Sequence, residues 1–327
     1  MKPDFKFKAD GVDITAILKT ALIDITVTDK KNLEADQLDI RLADPEGAIE
    51  LPRKKVQIEC WLGFEGQGLV YKGSYTVDEL SHTGPPDQIT IRARSANFSG
   101  GLKQERDMWF DGQTIGEILQ PIATANGLDL AIEGGLKNTV IAHLDQTNES
   151  WGNLITRLAA KYDALATIKN KTLLFIPVGY SKTVSGIELS TLTIQRQGKG
   201  RHTFINADRN TDFTGVQAKW YDLNTGSEHH ALAGAAGNLK TLKKIWPTKE
   251  EAEAAAKSKW RELSRSNKTM QIALPIGQPE IAPNSPVLLS GWRPEIDQVK
   301  WVVGNVTHKL GAQGLSTDVD LEELSSI

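Results

Sequence analysis

Six histidines and one cysteine are the side chains here with the widest reactive repertoire: His82, His143, His202, His229, His230, His308 and Cys60. A zinc site would need His-Glu-x-x-His or cysteines at close spacing. Neither pattern occurs. Glu228-His229-His230 is the one cluster, and it lies among Gly226, Gly234 and Gly237 in residues 225–239. That stretch reads as a flexible, solvated loop, not a metal cage. Gly63-Phe-Glu-Gly66-Gln-Gly68 has glycines enough for a phosphate cradle. Its order departs from G-x-G-x-x-G, no Gly-Lys-Ser/Thr follows, and the next segment reads as a strand, so a hairpin turn accounts for it better. No Gly-x-Ser-x-Gly elbow is present, and Cys60 falls on the apolar side of a strand pattern, where a small buried side chain is the default. The 41 acidic residues offer many carboxylate pairs for glycoside cleavage, and none stands out. No catalytic, cofactor-binding or metal-ligating residue is therefore assigned, and no cofactor or enzymatic activity is expected.

Residues 240–268 carry nine basic and four acidic side chains, which read as a solvated helix face. Trp220, Trp246, Trp260, Trp292 and Trp301 read as core and hairpin packing. A net charge of −3 over 327 residues lacks the basic excess of a protein that grips DNA by its phosphates. One cysteine excludes an intrachain disulfide. No apolar run approaches the ~20 residues of a membrane span, and the start, Met1 to Lys8, lacks the apolar core of a signal peptide.

The elements that position these residues fall into three stretches. In residues 1–98, Leu38, Ile40 and Leu42 alternate with polar residues, as do Val56, Ile58, Cys60 and Leu62, then Ile89, Ile91 and Ala93. Turns at Asp29-Lys30-Lys31-Asn32, Asp44-Pro45 and Pro85-Pro86-Asp87 separate them. Period-two patterning with this turn chemistry predicts an antiparallel sandwich or small barrel, with one short helical turn at Ile17-Leu18. Residues 99–180 change period. Ile115, Ile118, Leu119 and Ile122 share a helical face ended by Gly127, and Trp151, Leu154, Ile155 and Leu158 share a second. With a hairpin over 164–176 they predict a small α+β domain. Residues 181–327 return to strands at 187–189, 192–194, 216–220, 272–274, 287–289, 301–303 and 319–321. A helical insertion at about 248–265 is opened by the capping box Thr248-Lys-Glu-Glu251. The fold class is thus mainly β: two similar antiparallel β-barrel domains flanking a small α+β domain.

A faint internal echo links the outer stretches. Lys55 to Ile58, Tyr75 to His82 and Ile89 to Ile91 resemble Pro286 to Leu289, Trp301 to His308 and Thr317 to Leu321, each as strand, strand, a His-bearing turn, strand.

Two segments resemble the phage late control D protein family. His143-Leu-Asp-Gln-Thr-Asn-Glu-Ser150, continuing through Trp151 to Tyr162 and the hairpin to Pro177, is similar to its central signature. The C-terminal series is Trp246-Pro247, Leu274-Pro275, Ile281-Ala-Pro-Asn-Ser-Pro-Val287, Ser290-Gly-Trp-Arg-Pro-Glu-Ile-Asp297, Trp301-Val302-Val303, Val306-Thr-His308 and Gly314-Leu-Ser-Thr317; with Phe213 to Val216 and Trp220 to Asp222, it follows the family's order. The resemblance implies a baseplate hub of a contractile tail, related to the hub part of the type VI secretion spike protein. It implies a homotrimer around an axial channel, joining the tail tube to the central spike and letting DNA pass. Other baseplate proteins and the tape measure protein join the partners so implied, without membrane insertion. The place implied is the virion tail, after assembly in the host bacterial cytoplasm. A chain ending soon after its last strands implies that spike and lysozyme domains are separate chains. Two alternatives stand beside this reading: a cell-wall hydrolase at the tail tip, and the hub of a bacteriocin or type VI secretion-like machine. The echo adds an expectation, namely two superposable barrels side by side that give matched contact surfaces for a sixfold tube. The hairpins Tyr75–Ile91 and Trp301–Leu321 should then hold equivalent places. A shared strand order supports this, and fusion of both regions into one sheet counts against it.

Overall fold

Alternating apolar residues build the first β unit: β1 (Pro3–Ala9), β2 (Val12–Asp13), α1 (Thr15–Ala21), β3 (Leu22–Asp29), β4 (Gln37–Ala43), β5 (Gln57–Phe64), β6 (Gly68–Thr83) and β7 (Gln88–Ser95). The computed structural model describes residues 1–324 apart from 52, 54, 96–99, 170, 181–190, 199, 208–212, 223–224 and 266–267. Ile25, Val27, Leu38, Ile40, Ile58, Cys60, Leu62, Tyr75, Val77, Ile89 and Ala93 are all buried in one core. Each large apolar side chain of that set stabilises the fold by roughly 1.5–3 kcal/mol relative to exposure. The unit is antiparallel throughout, as its patterning predicts.

The middle module comprises α2 (Gly100–Lys103), β8 (Glu105–Thr114), α3 (Ile115–Ala125), β9 (Asp129–Ile132), α4 (Gly134–Lys137), β10 (Val140–Ser150), α5 (Trp151–Lys161), β11 (Ala164–Lys169) and β12 (Thr172–Pro177). Thr114 opens α3 with a full capping box: the Glu117 amide donates to its hydroxyl, and its own amide donates to the Glu117 carboxylate. Gly127 follows α3 at φ 66°, the left-handed position where glycine costs least. The apolar faces of α3 and α5 cover one side of the β11–β12–β9 sheet around Phe175 and Leu173.

The last stretch comprises β13 (Leu192–Gln195), β14 (His202–Asn206), β15 (Gly215–Asp222), β16 (Ser227–Gly234), β17 (Leu239–Trp246), α6 (Lys249–Arg265), β18 (Lys268–Leu274), β19 (Pro286–Ser290), α7 (Pro294–Asp297), β20 (Trp301–Gly311) and β21 (Gly314–Glu323). Three expectations change here. Residues 227–234 form a strand instead of a flexible loop, because Ala231 and Ala233 bury against α6 while β15 supplies the backbone partners. Residues 216–220 belong to a separate three-stranded sheet, β16–β15–β17, and not to the second barrel. The insertion is thus a sheet with a covering helix, larger than 248–265. The strand expected at 187–189 lies outside the described residues.

The echo is structural. In chain order, β1, β3, β4, β5, β6 and β7 correspond to β13, β14, β18, β19, β20 and β21. Both sets are laid out alike: β3–β4–β7–β6–β5–β1 and β14–β18–β21–β20–β19–β13. Even the irregularities coincide. A bulge falls between Val77 and Glu79 in β6 and between Val303 and Val306 in β20. Just before it, Val77 N–H donates to Val56 O and Val77 O accepts from Lys55 N–H; Val303 makes the same two bonds to Ser285 and Asn284. Lys55 and Asn284 are both left-handed, at φ 74° and 64°. The units differ at one end: β1 runs antiparallel to β5, whereas β13 runs parallel to β19. The histidines of the echo lie within strands β6 and β20, not in turns.

Two self-contained barrels are not what forms. β20 is long enough to pair β21 on one side and, with residues 306–311, β3 on the other, so both units share a 13-stranded sheet. Leu310 and Leu315, at the tip of the β20–β21 hairpin, pack into the first unit's core. The expectation of separate barrels is corrected accordingly, and the sixfold-matching idea that depended on their separation loses that support. The shared strand order stands.

Candidate functional site

The most elaborate polar constellation among the described residues lies where the three modules meet, around the β3–β4 loop. Within that loop Lys30 N–H donates to Asp36 Oδ1 (2.7 Å). Toward the second unit, Lys31 N–H donates to Asn305 Oδ1 (3.2 Å) and Lys31 Nζ to Glu322 (2.6 Å). Toward the middle module, Asn32 O accepts from Thr167 Oγ1 (3.2 Å) and Asp36 pairs with Lys169. Burial raises the Asp36 carboxyl above its ordinary range, with the Lys169 ammonium opposing. Lys72 Nζ lies 2.8 Å from Asp29, both nearly shut off from solvent, and donates to Pro279 O (3.1 Å).

His308 completes the seam. It is fully buried, with Nδ1 2.9 Å from Thr317 Oγ1 and Nε2 3.9 Å from Asp29. Burial pushes its pKa down to about 3; nearby Lys72 acts in the same direction and Asp29 against it. A neutral imidazole sealed from solvent has no route to a substrate proton at neutral pH. A cavity of about 630 Å³ opens beside these groups, lined by Lys30, Lys72, Lys169, Tyr180 and Asn284 among others. Lys169–Asp36 and Lys31–Glu322 cross between modules, while Lys72–Asp29 lies within the first unit and reaches the last stretch through Pro279 O. On the far side, Lys161 of α5 meets Glu251 of α6 at 3.2 Å, and Ser258 Oγ donates to Ala160 O. Burial lowers the Lys161 pKa against the pull of Glu251.

The residues singled out from sequence are scattered. His143 is exposed between Asp111 and Asp145, whose carboxylates raise its pKa. His229 stacks on Trp220 across β15–β16 (ring centroids 4.8 Å), and Glu228 pairs with Lys219 (2.9 Å). His202 meets the edge of Trp292 at 6.1 Å, and His82 is exposed. Cys60 is buried, which pushes its thiol far above the ordinary range. Gly66 and Gly68 form the turn between β5 and β6, both at positive φ. The basic stretch divides among β17, α6, where Lys259 pairs with Glu262 at 2.7 Å, and the start of β18, where Lys268 pairs with Glu323. The full capping box expected at Thr248 is half made: Glu251 N–H donates to Thr248 Oγ1 (3.3 Å), while the Glu251 carboxylate turns to Lys161. Trp246 and Trp301 are buried. Among the described residues, no group of three or more His, Cys, Asp or Glu side chains could hold a metal ion, and no helix is long and apolar enough to cross a membrane. Sequence reasoning did not find Asp29, Asp36, Lys72 and Lys169. Their one signal was Asp29, a charge that continues the apolar alternate row of Ile25 and Val27.

With the junction of the three modules described, comparison with known proteins gives the family. The profile of the family described as phage tail baseplate hub (GPD) matches residues 37–314. This chain belongs to that family. The probable baseplate hub proteins of Escherichia phages 186 and P2 are each 34% identical to it, over 98% of this chain and 93% of theirs. In fold, the hub chain is similar to the 43 kDa tail protein of prophage MuSo2 from Shewanella oneidensis. There the TM-score is 0.70 at 14% identity, covering 97% of each chain. It is also similar to the E. coli c3393 protein, a component of the type VI secretion system. That match has a TM-score of 0.57 at 10% identity and covers 98% of this chain and 77% of the other.

Proposed function

We propose that this hub protein is a purely structural homotrimer. It forms a ring around an axial channel, joins the tail tube to the central spike, and lets DNA pass without holding it. It works in the baseplate of the virion tail, after assembly in the host cytoplasm, with other baseplate proteins and the tape measure protein as neighbours. The observation that carries this reading is the relationship to named hub proteins over almost the whole chain. The duplicated strand order supports it, because a ring is economically built from repeats of one unit. So does the junction, where Lys169–Asp36 and Lys31–Glu322 tie the first unit to the other two modules. The division into residues 1–98, 99–180 and 181–327 belongs to the same reading, with the first and last forming the ring and the middle module and α6 lying outside it.

Light scattering on the purified protein should give about three times the chain mass of 35.9 kDa, and electron images a ring with an axial hole. A strict monomer, alone and with spike protein added, overturns the ring. Peptidoglycan turnover lost on a single carboxylate substitution overturns the absence of chemistry and favours the hydrolase.

A further inference from the structure

We propose that the cavity where the three modules meet binds a small polyphosphate anion, held by Lys30, Lys72, Lys169 and Lys171, and that the bound anion ties the middle module to the first β unit. The site is complete within one chain, whatever the state of assembly.

Five lysines line this cavity of about 630 Å³: Lys30, Lys31 and Lys72 of the first unit, and Lys169 and Lys171 of the middle module. Among the described lining residues only Asp29 and Asp36 are acidic, which leaves three more positive than negative charges there, in a chain of net charge −3. Ammonium groups gathered into a partly enclosed space repel one another and lose solvation, so each calls for a counter-charge. Three have one. Lys72 has Asp29 at 2.8 Å, Lys31 has Glu322 at 2.6 Å from outside the lining, and Lys169 has Asp36. Two are poorly served. Lys30 reaches the exposed Glu34 at 3.6 Å, and Lys171 has no carboxylate partner among the described residues.

Lys171 holds its place against a local preference. It ends the turn between β11 and β12 at φ 61°, a left-handed position that glycine or asparagine fills at lower cost. Strain of this kind persists where the surroundings use the residue. The choice of cation points to the ligand. No arginine lines the cavity among the described residues. Arginine's fork matches one planar carboxylate, whereas a lysine ammonium is a compact charge with three donors, and several can converge on phosphoryl oxygens from different sides. The volume lies within the ~300–1,000 Å³ of small-molecule sites. A chain of phosphoryl groups can reach lysines of both modules at once, which a chloride ion cannot. The seam has use for such a bridge. Among the described residues of the first unit, only Leu33 packs against the middle module's core, so contact across the seam rests on polar groups such as Lys169 with Asp36 and Thr167 with Asn32 O.

Isothermal titration of the full chain with sodium tripolyphosphate, in chloride buffer, tests the site. One saturable site per chain is expected. Affinity should fall at least about tenfold in Lys171→Gln and further in Lys30→Gln/Lys171→Gln, as each change removes a charge-assisted hydrogen bond. The control pair Lys243→Gln/Lys257→Gln, exposed lysines of β17 and α6, should bind as the parent does. All variants should melt with the parent in chloride, which separates failure to fold from failure to bind. Bound anion should also slow amide exchange on both sides of the seam, in the β3–β4 loop and in β11 and β12. ATP in a parallel titration distinguishes the source: equal or weaker affinity assigns a free polyphosphate, and tighter binding a nucleotide. Absence of saturable heat at millimolar anion, several weak sites per chain, or equal loss in the control pair overturns the site. Binding that leaves exchange unchanged on either side of the seam overturns the tie between modules.

Discussion

His82 and His308 stand at the same position of the two repeated β units and meet opposite fates. His308 is buried with β3 against its strand; His82 is exposed on an uncovered edge. Local sequence does not distinguish them, since each follows a bulge and sits in a strand paired to the next. What differs is the neighbour. A β edge takes its environment from whatever covers it, so duplication of a unit does not duplicate its chemistry.

The hairpin tips offer the strongest test of this comparison. Leu310→Ala should destabilise the protein by about 2–5 kcal/mol and speed amide exchange in β3 and β4, because it opens a cavity in the first unit's core. Asp87→Ala, at the corresponding tip, should change stability by less than about 0.5 kcal/mol. Equal effects in chemical denaturation would remove the asymmetry between the tips.

The histidines come next. The pKa of His308 in the fold, about 3, lies below its unfolded value of 6.5, so the unfolded chain binds the proton more tightly between those limits. Stability is therefore full above pH 6.5 and lost on acidification, by about 3 kcal/mol at pH 4. Asp36, raised by burial, acts in the opposite sense at the acid end. The slope of stability against pH should flatten in His308→Gln and stay as in the parent in His82→Gln. Urea midpoints across pH 4–7 measure it, and an unchanged slope in His308→Gln would show that another group governs the acid limb.

The smallest effect concerns the aromatic that opens each echo segment. Tyr75 donates its hydroxyl to Lys72 O (2.9 Å), and Trp301 donates its indole N–H to Ile296 O (3.0 Å). Tyr75→Phe should cost about 1 kcal/mol, the worth of one buried hydrogen bond with the ring retained. No measurable loss would mean that Lys72 O is satisfied otherwise, and the parallel with Trp301 would reduce to shape.

Much of the fold was legible because it is written in local periods. The alternation around Ile40, Ile58 and Ile91 and the helical spacing of Ile115 to Ile122 each stated which face turns inward. The motif order around His143 and from Ser290 to Thr317 carried the family. Residues 227–234 were misread because glycines and adjacent histidines resemble a loop until β15 and α6 are present to bury Ala231 and Ala233. The junction pairs were illegible for a related reason. Lys72 and Asp29, or Asp36 and Lys169, are far apart in sequence, and nothing near either partner calls for the other.

By itself, then, the sequence determined most of the elements and the family and hinted at the duplication, since strand alternation, helical spacing and motif order are properties of neighbours along the chain. Tertiary structure alone decided that the two β units share one sheet, that one of two equivalent histidines is sealed and neutral, and that, among the described residues, the edges of β14 and of residues 79–83 of β6 remain open. Each depends on which strand lies beside which, and β20 reaches β3 only once nearly three hundred intervening residues have folded back.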